Sequence, residues 1–334
     1  MAMASVIANR GSRSSFSFKM LHLVSLLVFL SLLCLFSSMH ETSHQTLKKL
    51  DHATVFNHTA SMFHASCQIP AAAENPSPPP PAFRLFIGVL TQADQYWRRN
   101  ILRLAYGTQS PPVDVQVDVK FVFCNLDKED QRVLIALEIM QFDDIIILNC
   151  TENMDSGKTY TYFSSLPDLF NGTNGSDKPY DYVMKADDDT YFRLNQLVQS
   201  LMPLAREDLY YGFTIPCRET NPFNHYMSGM GYLLSWDLVE WIRTSYIPKN
   251  QTEGPEDKLV GDWLQMGGRG KNRYNTKPAM FDYAVNGAPD KCQGPFTLDT
   301  IGVHRLKSPD KWVDTFRRFD VTKQLKPSRL YYIA

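Results

Sequence analysis

The chain has 334 residues, of which 44% are hydrophobic and 12% aromatic, enough for one large core or two small ones. Its 34 Lys and Arg stand against 35 Asp and Glu, a net charge of −1. That balance lacks the basic footprint of a nucleic-acid binder, so no nucleic-acid partner is expected.

Residues 1–19 carry Arg10, Arg13 and Lys19 and read as a cytoplasmic tail. Met20 to Ser38 is apolar with a few serines, and no acid precedes Glu41. A helix of ~19 residues is about 28 Å long, close to the ~30 Å hydrocarbon core. The apolar region of a cleaved signal peptide is usually shorter, ~7–15 residues. Residues 20–38 are therefore expected to form a transmembrane signal-anchor helix, with the positive flank cytoplasmic and the bulk of the chain lumenal. Residues 39–82 have no periodicity and contain Asn75-Pro-Ser-Pro-Pro-Pro-Pro81, which favours extended polyproline II. They read as a stem, and residues 83–334 as the folded domain.

From Phe83 the pattern alternates between strands and helices. Phe83–Leu90 reads as a buried strand, Asp94–Gly107 as a helix, and Val117–Cys124 as a second strand. Asp127–Phe142 reads as a helix capped by Asp127, with Val133, Leu134, Leu137 and Met140 as its apolar side. Ile145–Leu148 is a third strand, Ser156–Leu166 a helix, 169–179 a polar loop, and Tyr182–Ala186 a fourth strand. Strands separated by helices predict an α/β fold with a mainly parallel, Rossmann-like sheet, which binds ligands at the carboxyl ends of its strands. Farther on, Leu209–Phe213 is a short strand, and Tyr226–Ser235 places two glycines among bulky residues, for a bulge or a close backbone approach. Trp236–Tyr246 and 255–266 read as helices.

The fourth strand runs into Asp187-Asp-Asp189. Three adjacent carboxylates repel one another unless a positive charge sits among them. A hard divalent cation meets that need, because Mg²⁺ and Mn²⁺ prefer carboxylate oxygens. In extended backbone Asp187 and Asp189 point to one side and Asp188 to the other. A solvated acidic turn is the alternative, but the position at the carboxyl end of a strand favours a metal site.

Cysteines bear on the compartment. Cys34 falls in the anchor, and Cys67, Cys124, Cys150, Cys217 and Cys292 follow it, an odd number. Cys124 and Cys150 each close a predicted strand, so neighbouring parallel strands would bring them within bridging reach. Cys67 in the stem could then join two chains as a homodimer or stay free. Asn-X-Ser/Thr triplets at Asn57, Asn149, Asn171, Asn174 and Asn250 fit a secretory lumen.

Several segments, in order, resemble glycosyltransferase family 31, the β-1,3-galactosyltransferase-like hexosyltransferases. They are Arg98-Arg-Asn-Ile-Leu-Arg103-Leu-Ala-Tyr-Gly107, Phe142-Asp-Asp-Ile-Ile, Glu152-Asn-Met-Asp-Ser-Gly-Lys158-Thr, Lys185-Ala-Asp-Asp-Asp189, Ser228-Gly-Met-Gly-Tyr-Leu-Leu-Ser235 and Glu256-Asp257-Lys-Leu-Val-Gly261. Ala105-Tyr106 stands where that family usually has Thr-Trp, and Lys258 where it has Val.

The resemblance implies a type II Golgi membrane enzyme with a GT-A fold, a UDP-sugar donor, Mn²⁺ (or Mg²⁺), a glycan or glycoprotein acceptor, and inversion at the anomeric carbon. Asp189, Asp187 and His304 become the expected metal ligands. Asp257, with Glu256 second, becomes the base that takes the acceptor hydroxyl's proton, although acids also suit a helix's first turn. Arg103 and Lys158, with Arg98 as a further candidate, are expected on the diphosphate, and Asp187 and Asp188 on the nucleotide. Trp97, Tyr160, Tyr162 and Tyr232 are either stacking groups or core. A lumenal glycan-binding scaffold with the same fold, or a metal-dependent phosphohydrolase, are the competing expectations.

Overall fold

The computed structural model describes residues 81–170, 178–284 and 292–331. The tail, the anchor and nearly all of the stem, with Cys34, Cys67 and Asn57, lie outside the described residues, as do Asn171 and Asn174. Among the described residues no helix is long and apolar enough to cross a membrane.

The described residues form ten strands and eight helices, which alternate strictly only as far as the fourth strand. In chain order they begin β1 (Phe83–Leu90), α1 (Tyr96–Gly107), β2 (Val115–Phe123), α2 (Glu129–Phe142), β3 (Ile145–Ile147), α3 (Lys158–Leu169) and β4 (Tyr182–Asp187). Then come β5 (Tyr191–Phe192), α4 (Leu194–Leu201), β6 (Leu209–Ile215), β7 (Tyr226–Ser235), α5 (Trp236–Thr244), α6 (Tyr246–Lys249) and α7 (Glu256–Met266). The last are β8 (Asn272–Asn275), β9 (Met280–Asp282), β10 (Gly302–His304) and α8 (Pro309–Arg318).

A seven-stranded sheet has the order β3-β2-β1-β4-β7-β6-β8. Its pairs are parallel except β4 with β7 and β7 with β6, so β7 alone runs against the rest. This is the mainly parallel α/β sheet expected from the alternation of strands and helices. A second sheet, β5-β10-β9, has three strands.

Both faces of the large sheet are covered, which explains why its strands read as continuous apolar runs. Along β1, Phe83, Leu85, Ile87 and Val89 enter one core with Leu102 and Ala105 of α1, Leu197 and Leu201 of α4, and Trp312 of α8. Phe86 and Leu90 enter the other, with Phe163 and Leu166 of α3, Val239 of α5 and Trp263 of α7. The period-2 alternation of a strand divides them.

Helix α2 departs from expectation. Val133, Leu134, Leu137 and Met140 are exposed, and Ile135 is its buried residue. The inward side carries Glu138, whose carboxylate meets Arg99 at 2.7 Å and Arg103 at 2.6 Å. Arg99 is fully buried and also donates to the carbonyls of Gln92 and Ala93. Leaving these buried arginines without a carboxylate would cost several kcal/mol, a cost on the scale of what exposing the aliphatic side chains forfeits. The acidic side accordingly faces inward. The helix also starts later than expected, with Lys128 and not Asp127 at its N-cap.

Cys124 and Cys150 form a disulfide just beyond the paired strands β2 and β3, as their spacing predicts. A second disulfide joins Cys217 to Cys292. Replacing both Cys124 and Cys150 with serine should lower the unfolding free energy by roughly 2–5 kcal/mol. Denaturant titration reads this as a lower midpoint, and an unchanged midpoint would argue that the bridge contributes little.

Candidate active site

Strand β4 carries the aspartates to the carboxyl edge of the sheet, and there the chain turns. Thr190 N–H donates back to the Asp187 carbonyl at 3.3 Å. The turn keeps the split expected of extended backbone. Asp187 and Asp189 face His304 at the end of β10, with carboxylate oxygens 3.6 and 3.2 Å from its Nε2. One ligand atom from each of the three lies within 4.8 Å of the others. Two carboxylates and an imidazole on one side suit a divalent ion, with room for oxygen ligands from a substrate. Burial works against charging His304, but Asp187, Asp189 and Asp282 outweigh it and push its pKa up to about 11. The site therefore demands positive charge where the three side chains meet.

Asp188 turns the other way. It accepts from Thr91 Oγ1 at 2.6 Å and pairs with Arg98. Burial still raises its pKa, because Thr91 and Arg98 offset the loss of water only in part. Asp188, Arg98, Asp187 and Asp189 line a cleft of about 350 Å³ whose wall also includes Thr91, Glu152, Lys158 and Lys307. A larger depression of about 580 Å³ runs from Asn250 to Met266 and holds none of the predicted site residues.

The basic residues divide. Arg98 lines the cleft. Lys158 lines it too, but its ammonium is buried, bonded to Glu152 and to the Thr91 carbonyl at 2.6 Å. Burial lowers its pKa in spite of Glu152. Lys158 thus holds the cleft wall together. Arg103 is not part of the lining. Asp144 holds its guanidinium through two hydrogen bonds of 2.7 and 2.8 Å, and it packs between the rings of Phe121 and Phe142. Lys307, which sequence reasoning passed over, takes the open side of the cleft, its Nζ 4.0 Å from Asp189. The signal was its position three residues after His304.

Glu256 and Asp257 open α7 and separate into two roles. Glu256 is buried. One oxygen meets Lys185 Nζ at 2.7 Å, and the other accepts from Tyr232 OH at 3.0 Å. Burial raises its pKa against the pull of Lys185. Lys185, fully buried on β4, also bonds Asp187 at 2.7 Å and the Gly229 carbonyl at 2.8 Å. Burial works against the charge on this lysine, but Asp187 and Glu256 outweigh it and hold the ammonium above its ordinary range. In turn Lys185 and His304 hold Asp187 below the usual carboxylate range although burial opposes it. Glu256 therefore belongs to a bonded network that engages both of its oxygens, Oε1 with Lys185 and Oε2 with Tyr232.

Asp257 is half-buried, and its Oδ2 accepts from Gly229 N–H at 3.2 Å. Burial raises its pKa, as suits a base that must hold a proton. Gly229 is where these groups converge. A Cβ there would lie 2.7 Å from Glu256 Oε1 and 3.2 Å from Lys185 Nζ. The β6–β7 register also shifts in this stretch, so the glycines serve both the bulge and the close approach. Tyr162 and Tyr232 are fully buried core residues. Trp97 packs edge-on to Trp312 and Tyr160 to Trp263, and none of the four lines the cleft.

A sequence family described as Galactosyltransferase matches residues 97–216, a span that includes the three aspartates and ends before Asp257 and His304. The chain is 27% identical over 277 residues to beta-1,3-galactosyltransferase pvg3 of Schizosaccharomyces pombe, covering 68% of this chain and 72% of that protein. It is 28% identical over 189 residues to beta-1,3-galactosyltransferase 6 of Mus musculus, covering 50% of this chain and 55% of the mouse protein. It is 23% identical over 233 residues to hydroxyproline O-galactosyltransferase GALT2 of Arabidopsis thaliana, covering 64% of this chain and 33% of the plant protein. A solved structure of the galactosyltransferase LgtC with donor and acceptor sugar analogs aligns at a TM-score of 0.42 and 13% identity, over 73% of this chain and 97% of that one.

Proposed function

We propose, from the premise that this chain is a glycosyltransferase like those of family 31, that it moves a hexose from a UDP-sugar to a hydroxyl of a glycan or glycoprotein, with inversion. The observation that carries this is the meeting of Asp187, Asp189 and His304 beside a cleft walled by Arg98 and Lys307. The two carboxylates and the imidazole fit Mn²⁺ or Mg²⁺. Such an ion, when bound, neutralises charge on the departing diphosphate.

The chain's own residues supply the rest. Arg98 and Lys307 attract the diphosphate to the cleft. Asp257 accepts the proton of the acceptor hydroxyl as its oxygen bonds to the anomeric carbon, and the bond from that carbon to the UDP oxygen breaks with its electron pair leaving on UDP. Lys185 ties Asp187 to Glu256 and so holds the start of α7, with Asp257, in register with the aspartates. The GT-A assignment fits a mainly parallel sheet whose cleft lies at the carboxyl ends of β1 and β4.

Galactose in β-1,3 linkage is the favoured product, on the names of the yeast and mouse relatives, with N-acetylhexosamines next. A lumenal domain on a single-pass type II Golgi anchor at residues 20–38 is supported by the two disulfides, since such bonds persist in oxidising compartments. Incubating the full chain with UDP-sugars, Mn²⁺ and an acceptor panel tests the proposal. Transfer product is expected. Glycan binding without donor consumption would point to a scaffold, and release of phosphate without transfer to a phosphohydrolase.

A further inference from the structure

We propose, on the metal-binding reading given above, that Asp282 is a positioning residue that presents Nε2 of His304 to the divalent ion. Strands β9 and β10 run parallel and pair Asp282 directly with His304. The Asp282 carboxylate lies 2.7 Å from His304 Nδ1, on the ring edge opposite the one that faces Asp187 and Asp189. Asp282 is only 3% exposed, and its second oxygen meets Arg305 Nε at 3.0 Å.

The backbone fixes this arrangement from both sides. Asp282 N–H donates to the Cys292 carbonyl at 2.8 Å, and Tyr283 N–H to the His304 carbonyl at 2.8 Å. Arg305 takes a left-handed φ of 64°, uncommon for a residue with a side chain. From there its guanidinium reaches back to Asp282. An imidazole binds a metal through a nitrogen lone pair, so a proton held on Nδ1 by a carboxylate leaves Nε2 as the ligand and locks the ring's orientation. A carboxylate so placed also makes the ligand nitrogen more basic. No repeat or spacing in the sequence marks Asp282, because the pairing exists only once β9 and β10 lie side by side.

The test is a Mn²⁺ titration of the full chain, without donor or acceptor, followed by the free-Mn²⁺ resonance or by calorimetry. The wild type should bind one ion, and Asp282→Asn should bind it about 10–100-fold more weakly. His304→Ala should weaken binding as well, and adding Asp282→Asn to it should cost little more, because the aspartate acts through the histidine. Equal affinity of Asp282→Asn and wild type, or additive losses in the double variant, overturns the proposal while leaving the metal reading intact. A wild-type chain that binds no Mn²⁺ overturns both. Should Asp282→Asn fail to fold, the ¹⁵N spectrum of histidine-labelled wild type with saturating Mg²⁺ decides. A proton on Nδ1 of His304 and none on Nε2 is expected, and the reverse tautomer contradicts the proposal.

Discussion

Replacing Asp257 with asparagine should leave Mn²⁺ and UDP binding near wild type and lower sugar transfer by about a hundredfold or more. Asp257 accepts from the Gly229 N–H at 3.2 Å and the Lys258 N–H at 2.8 Å, and asparagine keeps the shape and can still accept one of the two. What it loses is the capacity to take a proton from the acceptor hydroxyl. The loss should therefore fall on kcat, with little change in the KM for donor. Glu256→Gln is the informative partner. Its side chain is bonded to Lys185 and Tyr232, so its removal leaves Lys185 short of one of its two carboxylate partners. Glu256→Gln should lower stability as well as transfer, because a buried charge loses its partner. Turnover near wild type in Asp257→Asn would place the base elsewhere.

Replacing Asp189 with alanine should abolish measurable transfer and Mn²⁺ binding together, with a loss in kcat/KM of roughly a thousandfold or more, the scale of several kcal/mol of charge stabilisation. Asp189 offers a carboxylate 3.2 Å from His304 Nε2 and stands nearly buried at the cleft wall. Asp188→Asn is the control in the adjacent position. Its carboxylate faces Thr91 and Arg98, away from His304. Asp188→Asn should leave Mn²⁺ affinity near wild type and act instead through Arg98 on donor binding. Calorimetry with Mn²⁺ alone and then with UDP separates the two effects. Equal loss of Mn²⁺ affinity in both variants would contradict the split geometry.

Much of the architecture was legible in the sequence because buried parallel strands have a plain pattern. Phe83–Leu90, the segment ending at Cys124, and Tyr182–Ala186 are apolar runs between helical stretches, and the large sheet forms from them. The partners of the Cys124–Cys150 bridge could be read because strand ends set their spacing. Side-chain burial on α2 was misread because the apolar stripe was visible and its competitor was not. Arg99 and Arg103 demand an acid, and only folding brings Glu138 to them.

The same limit shaped the candidate site. The aspartate triplet stood out by charge alone, whereas His304 and Asp257 were singled out by family resemblance. Arg103 was assigned to the diphosphate by the same resemblance; an arginine on a helix shows no sign of its partner, and here a partner is Asp144. Lys185 sat inside a quoted motif without a role until its contacts to Asp187, Glu256 and Gly229 were seen. Short elements escaped because brief strands have too few residues for a period: β5 has two and β9 has three. The helix α8 did carry a start signal, Pro309 in its first turn.

Crystals of the chain grown with Mn²⁺ and UDP give the most direct measurement, through anomalous scattering at the manganese edge. One strong peak bounded by Asp187, Asp189 and His304, with the diphosphate toward Arg98 and Lys307, is the predicted result. A peak anywhere else in the molecule, or UDP seated outside this cleft, would contradict metal-assisted sugar transfer at the aspartates.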